Sequence, residues 1–300
     1  MKKNSPIRLN LRNNSLGIKL LIPATILIGV ISIYPLFRGI SLSFMNFSLR
    51  RMHMAHFIGF ENFRMILTEN REFYDTLLFS FTYAFVVVIL SYVSGICFAL
   101  LLNRDIRFRG FFRAMILIPW IIPPVVAGAS WSWLLNDIFG FINVNLVRLE
   151  IVERPILFLV EPTLARITVC LTGAWKAFPF MTIVLLSGMQ GISDELYESA
   201  SIDGAGFFRS FWSITLPILK PISMIATVLM FIWTFNNFEN IFLLTRGGPA
   251  HATFVLPILS YFTAFSRSQL GYASAISTLM LVVLLAMALV YMRILKASNK

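Results

Sequence analysis

Acidic side chains are scarce in this chain: 14 Asp and Glu stand against 25 Lys and Arg, a formal net charge of +11. All charged residues together make up only 13% of the 300, too few to clothe a water-facing surface, which excludes an ordinary soluble domain. The two cysteines, Cys97 and Cys170, fall in separate apolar stretches and form neither a disulfide framework nor a zinc site; they are expected as core thiols. Among three histidines, His53 and His56 make an H-x-x-H pair without the Glu of H-E-x-x-H, and His251 is isolated. The pair reads as a solvated loop, and no metal site is expected. No G-x-x-x-x-G-K-[ST] occurs, so the polypeptide does not bind ATP through a P-loop. The surplus positive charge sits beside apolar stretches, where anionic headgroups attract it, so no nucleic-acid partner is expected.

What the chain has in abundance is apolar length: 58% of residues are hydrophobic, with a mean hydropathy of +0.79. Six segments are long enough to cross a bilayer core of about 30 Å: Leu16–Ile40, Thr76–Leu102, Phe111–Leu135, Leu164–Met189, Ile218–Leu244 and Ala273–Leu295. The expected class is an all-α polytopic membrane protein with six transmembrane helices, in contact with lipid throughout. Leu16–Ile40 is long and lacks a small-residue cleavage site, so it reads as a retained first helix rather than a signal peptide. Placing both termini in the cytoplasm puts Lys2, Lys3, Arg8, the Arg104–Arg113 cluster, Arg209, Lys220 and Lys300 inside, more Lys and Arg than the outer loops then hold. Residues 1–75 are expected to form the N-terminus, first helix and an external loop, and 76–295 a five-helix core.

Within that core the stretch 193–217 is polar, and its charges would each cost several kcal/mol in hydrocarbon. It must form a platform at one membrane face, cytoplasmic in this orientation. Ser193 ahead of Asp194 and Glu195 suits a helix N-terminus, and a short helix is predicted to about Ile202. Its small residues Ser199, Ala200 and Ser201 would let another protein approach closely. Asp203-Gly204 reads as a turn that needs the positive φ glycine tolerates. Phe207, Phe208, Phe211 and Trp212 are expected to pack against the bundle, and Pro217 and Pro221 to mark re-entry into the membrane. Connecting loops are usually only a few residues long, which favours a docking element here.

Lys176 lies near the middle of the fourth segment, where an ionisable group marks a candidate functional site. Gly173, Lys176, Ala177 and Phe180 share one helix face by their i, i+3, i+4, i+7 spacing, and Trp233, Asn236, Asn237 and Asn240 repeat it in the fifth segment. Aromatic faces stack on sugar rings and amides bond hydroxyls, so the two faces make a candidate carbohydrate pocket. The residues leave a second reading open, in which the amides only join helices at about 0.6–2 kcal/mol each and Lys176 pairs with Glu239. A stand-alone secondary transporter would need intramembrane carboxylates, for which Glu239 alone is available, and no inverted repeat is evident.

Glu198-Ser199-Ala200, Gly204 and Ile214-Thr215-Leu216-Pro217 stand at the spacings of the E-A-A, G, I-x-L-P loop, with Ser199 for the first Ala. In these residues the chain resembles the permease subunits of ABC importers. Tyr34-Pro35, F-I-G-F-E-N-F at 57–63, G-F-I-N at 140–143 and L-T-R-G-G-P at 244–249 resemble the carbohydrate branch, of maltose and oligosaccharide type. The resemblance implies a type I importer fold and alternating access, without catalysis or a cofactor of its own. ATP would be bound by two copies of a separate ATP-binding subunit. A second, different permease subunit and an extracytoplasmic solute-binding protein would complete the assembly in a prokaryotic cytoplasmic membrane. Glu198, Ser199, Ala200, Asp203 and Gly204 would couple to the ATPase. The segments A-W-K-A-F-P-F and W-T-F-N-N-F match those from which maltose-type permeases contact substrate, favouring Ala177, Phe180, Trp233, Thr234 and Asn237. The position matching Lys176 is usually uncharged in the family, so either this subunit contributes little to the site or the substrate carries an anion. Glycerol phosphate diesters are the alternative substrates; the G-G-P segment disfavours polyamines.

Overall fold

The computed structural model describes residues 11–298; Lys2, Lys3, Arg8 and Lys300 of the orientation argument lie outside them. Helix α1 (Leu11–Ile28) runs through a π turn at Gly29–Ile33 into α2 (Tyr34–Ser43). A two-residue ribbon, β1 (Met45–Asn46) antiparallel to β2 (His56–Phe57), and α3 (Glu61–Glu69) follow. Next come α4 (Arg71–Asn103), α5 (Arg109–Ile121), α6 (Pro124–Leu134), α7 (Phe141–Arg148) and α8 (Pro162–Met189). The chain continues as α9 (Asp194–Ile202), α10 (Phe207–Ser210), a π turn at Phe211–Thr215, α11 (Leu216–Phe235), α12 (Glu239–Thr245), α13 (Leu256–Tyr261) and α14 (Leu270–Ser298).

Five helical stretches are long and apolar enough to cross a membrane: Leu20–Ser43, Arg71–Asn103, Pro162–Met189, Phe207–Phe235 and Leu270–Arg293. The third span expected at Phe111–Leu135 is present as a broken pair, α5 and α6 meeting at 90°. The cause is Pro123-Pro124. Ile122 (φ −56°, ψ 128°) and Pro123 (φ −55°, ψ 140°) each precede a proline and are held out of the helical region. The two missing N–H groups also leave the carbonyls of Pro119 and Trp120 without their i+4 donors.

The span expected at Ile218–Leu244 is corrected. Its helix begins at Phe207, eleven residues earlier, carried past Pro217 by the π turn, and stops at Phe235 before α12 resumes at Glu239. Asn236 and Asn237 stand in the gap, where short amide side chains compete with the backbone for hydrogen bonds.

The core is built on α4 against α8, which pack along most of their length. Glycine makes their close approach possible. A Cβ on Gly95 would meet Met181 at 2.9 Å, and one on Gly173 would meet the Tyr83 hydroxyl at 2.7 Å. Ser91 Oγ donates to the Ala174 carbonyl at 3.3 Å across the same seam. Outside the span, Glu161 caps α8: its carboxylate accepts from the Thr163 and Leu164 amides at 3.0 and 2.6 Å, which hold its pKa below the usual carboxylate value. The first span leans on α14 through α2 and is otherwise uncovered. Cys170 is buried as expected, but Cys97 is not a core thiol. It stands on the outward face of α4, where a small apolar side chain suits lipid.

Candidate functional site

Beside the elbow between α5 and α6 the bundle encloses a cavity of about 170 Å³, lined by α4, α5, α8, α11 and the gap before α12. Lys176, Ala177 and Phe180 reach it from α8, and Trp233, Thr234, Asn237 and Asn240 from α11 and the residues beyond. Three aromatic rings make one wall: Phe180 stands 5.1 Å from Trp233 and 6.2 Å from Trp120, centroid to centroid. Trp120 and Trp233 keep about half their surface free (51% and 55%), so the wall is open along one side. Sequence reasoning did not find Trp120, Tyr83 or Met230 in this lining. The signal for Trp120 was its place just ahead of Ile121-Ile122-Pro123-Pro124, where the chain had to turn.

Asn236 is the one predicted residue outside the cavity. The spacing that grouped it with Trp233 and Asn240 assumes an unbroken helix. Because α11 ends at Phe235, Asn236 instead sits exposed and its amide donates back to the Ile232 carbonyl at 2.8 Å. Asn240 is buried and directed inward, its Nδ2 lying 3.3 Å from the Tyr83 hydroxyl and the Val169 carbonyl and 3.4 Å from Thr172 Oγ1. These are long contacts, shared by one amide, and they tie α12 to α4 and α8. Asn237 uses its Oδ1 to cap Asn240 N at 3.0 Å. Its Nδ2 and the Thr234 hydroxyl make no hydrogen bond among the described residues, leaving donors for a ligand.

Lys176 does not form the ion pair with Glu239 that one reading of the sequence expected. Its Nζ donates to the Ile122 carbonyl at 2.7 Å and to the Pro119 carbonyl at 3.3 Å. Pro119 is the carbonyl that Pro123 cannot serve, so the ammonium caps the broken end of α5. Glu239 stands exposed at the start of α12.

The platform lies beyond the other end of α11. Helix α9 has no buried residue, with Glu198, Ser199 and Asp203 exposed and Ala200 half-buried. Ser193 occupies the cap position, but its side chain makes no capping hydrogen bond. The helix stops as expected: Gly204 has φ +78°, Gly204 N donates to Ser201 O at 3.0 Å and Ala205 N to Ala200 O at 2.8 Å. This pair of bonds is a Schellman ending, which needs the left-handed residue at that point. Tyr197 and Thr215 share a hydroxyl hydrogen bond of 2.9 Å that fastens α9 to the foot of α11. Of the four aromatics expected to pack inward, only Phe211 does so. Phe207, Phe208 and Trp212 are exposed on α10 and the π turn, and the Arg104 guanidinium lies over the Phe207 ring at 5.1 Å.

A larger cavity, of about 950 Å³, lies elsewhere, between α4, α8 and the loop 249–252. It takes nothing from α11 and is walled by Leu78, Leu90 and Leu171 on outward faces, so it is a lateral groove rather than part of the elbow site.

Comparison with known proteins agrees with this architecture. The trehalose/maltose transport system permease protein MalF of Thermococcus litoralis is 34% identical over 294 residues, covering 98% of each chain. The sulfoquinovosyl glycerol transport system permease protein SmoG of Agrobacterium fabrum is 34% identical over 296 residues, covering 97% of this chain and 94% of its own. In fold, the chain superposes on a bacterial ABC transporter involved in import of the acidic polysaccharide alginate with a TM-score of 0.82, at 22% identity over 97% and 98% of the two chains. The family profile for the binding-protein-dependent transport system inner membrane component matches residues 91–300, which takes in the elbow, the platform and all of the cavity lining except Tyr83 and Val87. The chain is a member of that family of transport permeases.

Proposed function

We propose that this chain is the carbohydrate-conducting permease subunit of an ATP-driven importer, and that it transports without catalysing a reaction. Two of the relatives above are named for saccharide transport, one of trehalose/maltose and one of sulfoquinovosyl glycerol. The observation that carries the reading to this chain is the elbow cavity. It brings together a wall of three aromatic rings, suited to the faces of a pyranose, and free Asn237 and Thr234 donors suited to hydroxyls. At about 170 Å³ the cavity is smaller than the roughly 300–1,000 Å³ usual for a small-molecule site. A second permease subunit completes it, and the open side at Trp120 and Trp233 faces that partner.

In this reading ATP is bound by two copies of a separate ATP-binding subunit, against the exposed face of α9 carrying Glu198, Ser199, Ala200, Asp203 and Gly204. A solute-binding protein delivers the sugar at the opposite end. The platform and both termini then lie on the cytoplasmic side of a prokaryotic membrane. Ala177, Phe180, Trp233, Thr234 and Asn237 contact the substrate, while Asn240 holds the helices that carry them. The test is uptake of labelled mono- and disaccharides by proteoliposomes containing the complete importer. Trp233→Ala should lower uptake by about tenfold, the loss of one aromatic stacking contact of roughly 1–1.5 kcal/mol, with the complex still assembled. Undiminished uptake by that variant would remove the cavity from the pathway.

A further inference from the structure

The cavity that this reading gives to a sugar holds one cation and no anion. Its lining contains no Asp or Glu, and Lys176 has no carboxylate within ion-pair distance among the described residues. Glu239, the acid that one reading of the sequence paired with Lys176, stands exposed at the start of α12 and makes no ion pair with it. Lys176 is half-buried, and an ammonium within a membrane protein with no carboxylate at ion-pair distance is costly enough that such groups mark substrate or ion pathways. Two neutral carbonyls, those of Pro119 and Ile122, offset part of that cost by accepting two of its three N–H donors. One donor is left at the cavity wall, beside Phe180 and Ala177 on the same face of α8.

We infer that the substrate of this site is an acidic saccharide bearing a single negative oxyanion, a carboxylate or a sulfonate, which Lys176 receives while the aromatic wall takes the ring. The inference rests on the carbohydrate reading above and narrows it. A lone N–H on a partly shared ammonium makes one charge-assisted hydrogen bond, which matches a monoanion. A phosphate monoester carries about −1.5 to −2 at neutral pH, and the cavity has no second cation to balance it. The same ammonium caps the elbow that Pro123-Pro124 bend, so the site that reads the charge also holds the broken end of α5.

The test is equilibrium binding of labelled glucose, glucuronate, 6-deoxy-6-sulfoglucose and glucose 6-phosphate to the assembled transporter complex in nanodiscs. The solute-binding protein is omitted so that its own selectivity does not enter. Glucuronate, the sulfonate or both should bind about tenfold more tightly than glucose, the worth of one charge-assisted hydrogen bond. In Lys176→Gln, which keeps an N–H donor but no charge, the anion-to-neutral ratio should fall to near one, whereas Lys176→Arg should preserve it. Reading the ratio within each variant cancels any general loss from a loosened elbow. Equal affinity of the wild type for glucose and both monoanions would overturn the inference and leave the sugar site standing. Tighter binding of glucose 6-phosphate than of either monoanion would overturn it in favour of a phosphorylated solute. Failure of all four probes to bind would overturn the carbohydrate reading and this inference with it.

Discussion

Two proline sites in this chain have opposite outcomes. At Pro123-Pro124 the helix breaks and turns through 90°, whereas Pro217 and Pro221 lie in one continuous stretch from Phe207 to Phe235. The difference is local. Adjacent prolines hold two consecutive residues in extended backbone and remove two consecutive N–H groups, so no helical bond can bridge the gap. Pro217 follows a π turn in which Leu216 N reaches back to Phe211 O, and the wider i−5 ring there gives the single proline room inside a continuous helix. The molecule therefore has a bent span and a continuous one, and both reach the cavity. The bend makes the cavity wall, and α11, about 30 Å long at 1.5 Å per residue, links that wall to the platform.

The largest effect is expected from removing the bend. In Pro123→Ala/Pro124→Ala the restored N–H groups can satisfy the Pro119 and Trp120 carbonyls, and the helix gains what a proline interior costs, about 3 kcal/mol per residue. α5 and α6 should then approach collinearity and carry Trp120 away from Phe180 and Trp233. Uptake should drop by about tenfold or more, equivalent to about 1.4 kcal/mol, while the protein still inserts. Spin labels on α5 and α6 would report the angle directly. A retained bend in this variant would show that packing, with Lys176 as the cap, suffices without the prolines.

The second effect belongs to the platform, where geometry is set by one residue instead of a pair. A Cβ on Gly204 would meet nothing within 4 Å, so the cost of Gly204→Val is backbone strain alone. That strain is about 1–3 kcal/mol for a left-handed residue, and Gly204→Asn should cost less because Asn tolerates that region. ATP hydrolysis should become uncoupled from uptake in the Val variant, with sugar binding at the cavity unchanged. Equal coupling in the Val and wild-type importers would show that α9 needs no Schellman ending.

The contrast also shows what the sequence carried and what it did not. Periodicity located the α8 face of Lys176, Ala177 and Phe180, and the Ser193 position with the Asp203-Gly204 turn gave the length of α9, because both depend on residues within one unbroken helix. The spacing rule misplaced Asn236, because it assumes a helix that the Asn236-Asn237 pair ends. Hydropathy counted the third span and missed its bend, since an average over a window is blind to two missing N–H groups. The expectation that Phe207, Phe208 and Trp212 pack inward took apolar character for burial. Their exposure beside Ile202, which is 88% exposed, instead gives the platform an apolar surface available to a partner. The Lys176 to Glu239 pairing failed for a related reason: from sequence the carbonyls that the prolines strand were not considered as partners.

The smallest effect is expected at Pro217, and it tests the comparison from its quiet side. In Pro217→Ala the chain loses a rigid residue at a position whose backbone is already helical, so the unfolded state gains freedom and stability should fall by about 0.4–1 kcal/mol. The foot of α11 is held independently of the ring, because Thr215 is buried and bonded to the Tyr197 hydroxyl at 2.9 Å. The direction of α11 and the position of α9 should therefore be kept, and uptake should stay within about twofold of wild type, well under the 1.4 kcal/mol that a tenfold change requires. Thermal unfolding in detergent and uptake in proteoliposomes measure the two quantities separately. A loss of uptake comparable to that of Pro123→Ala/Pro124→Ala, with stability intact, would mean that a single proline at a helix foot also sets working geometry, and the distinction between the two sites would not hold.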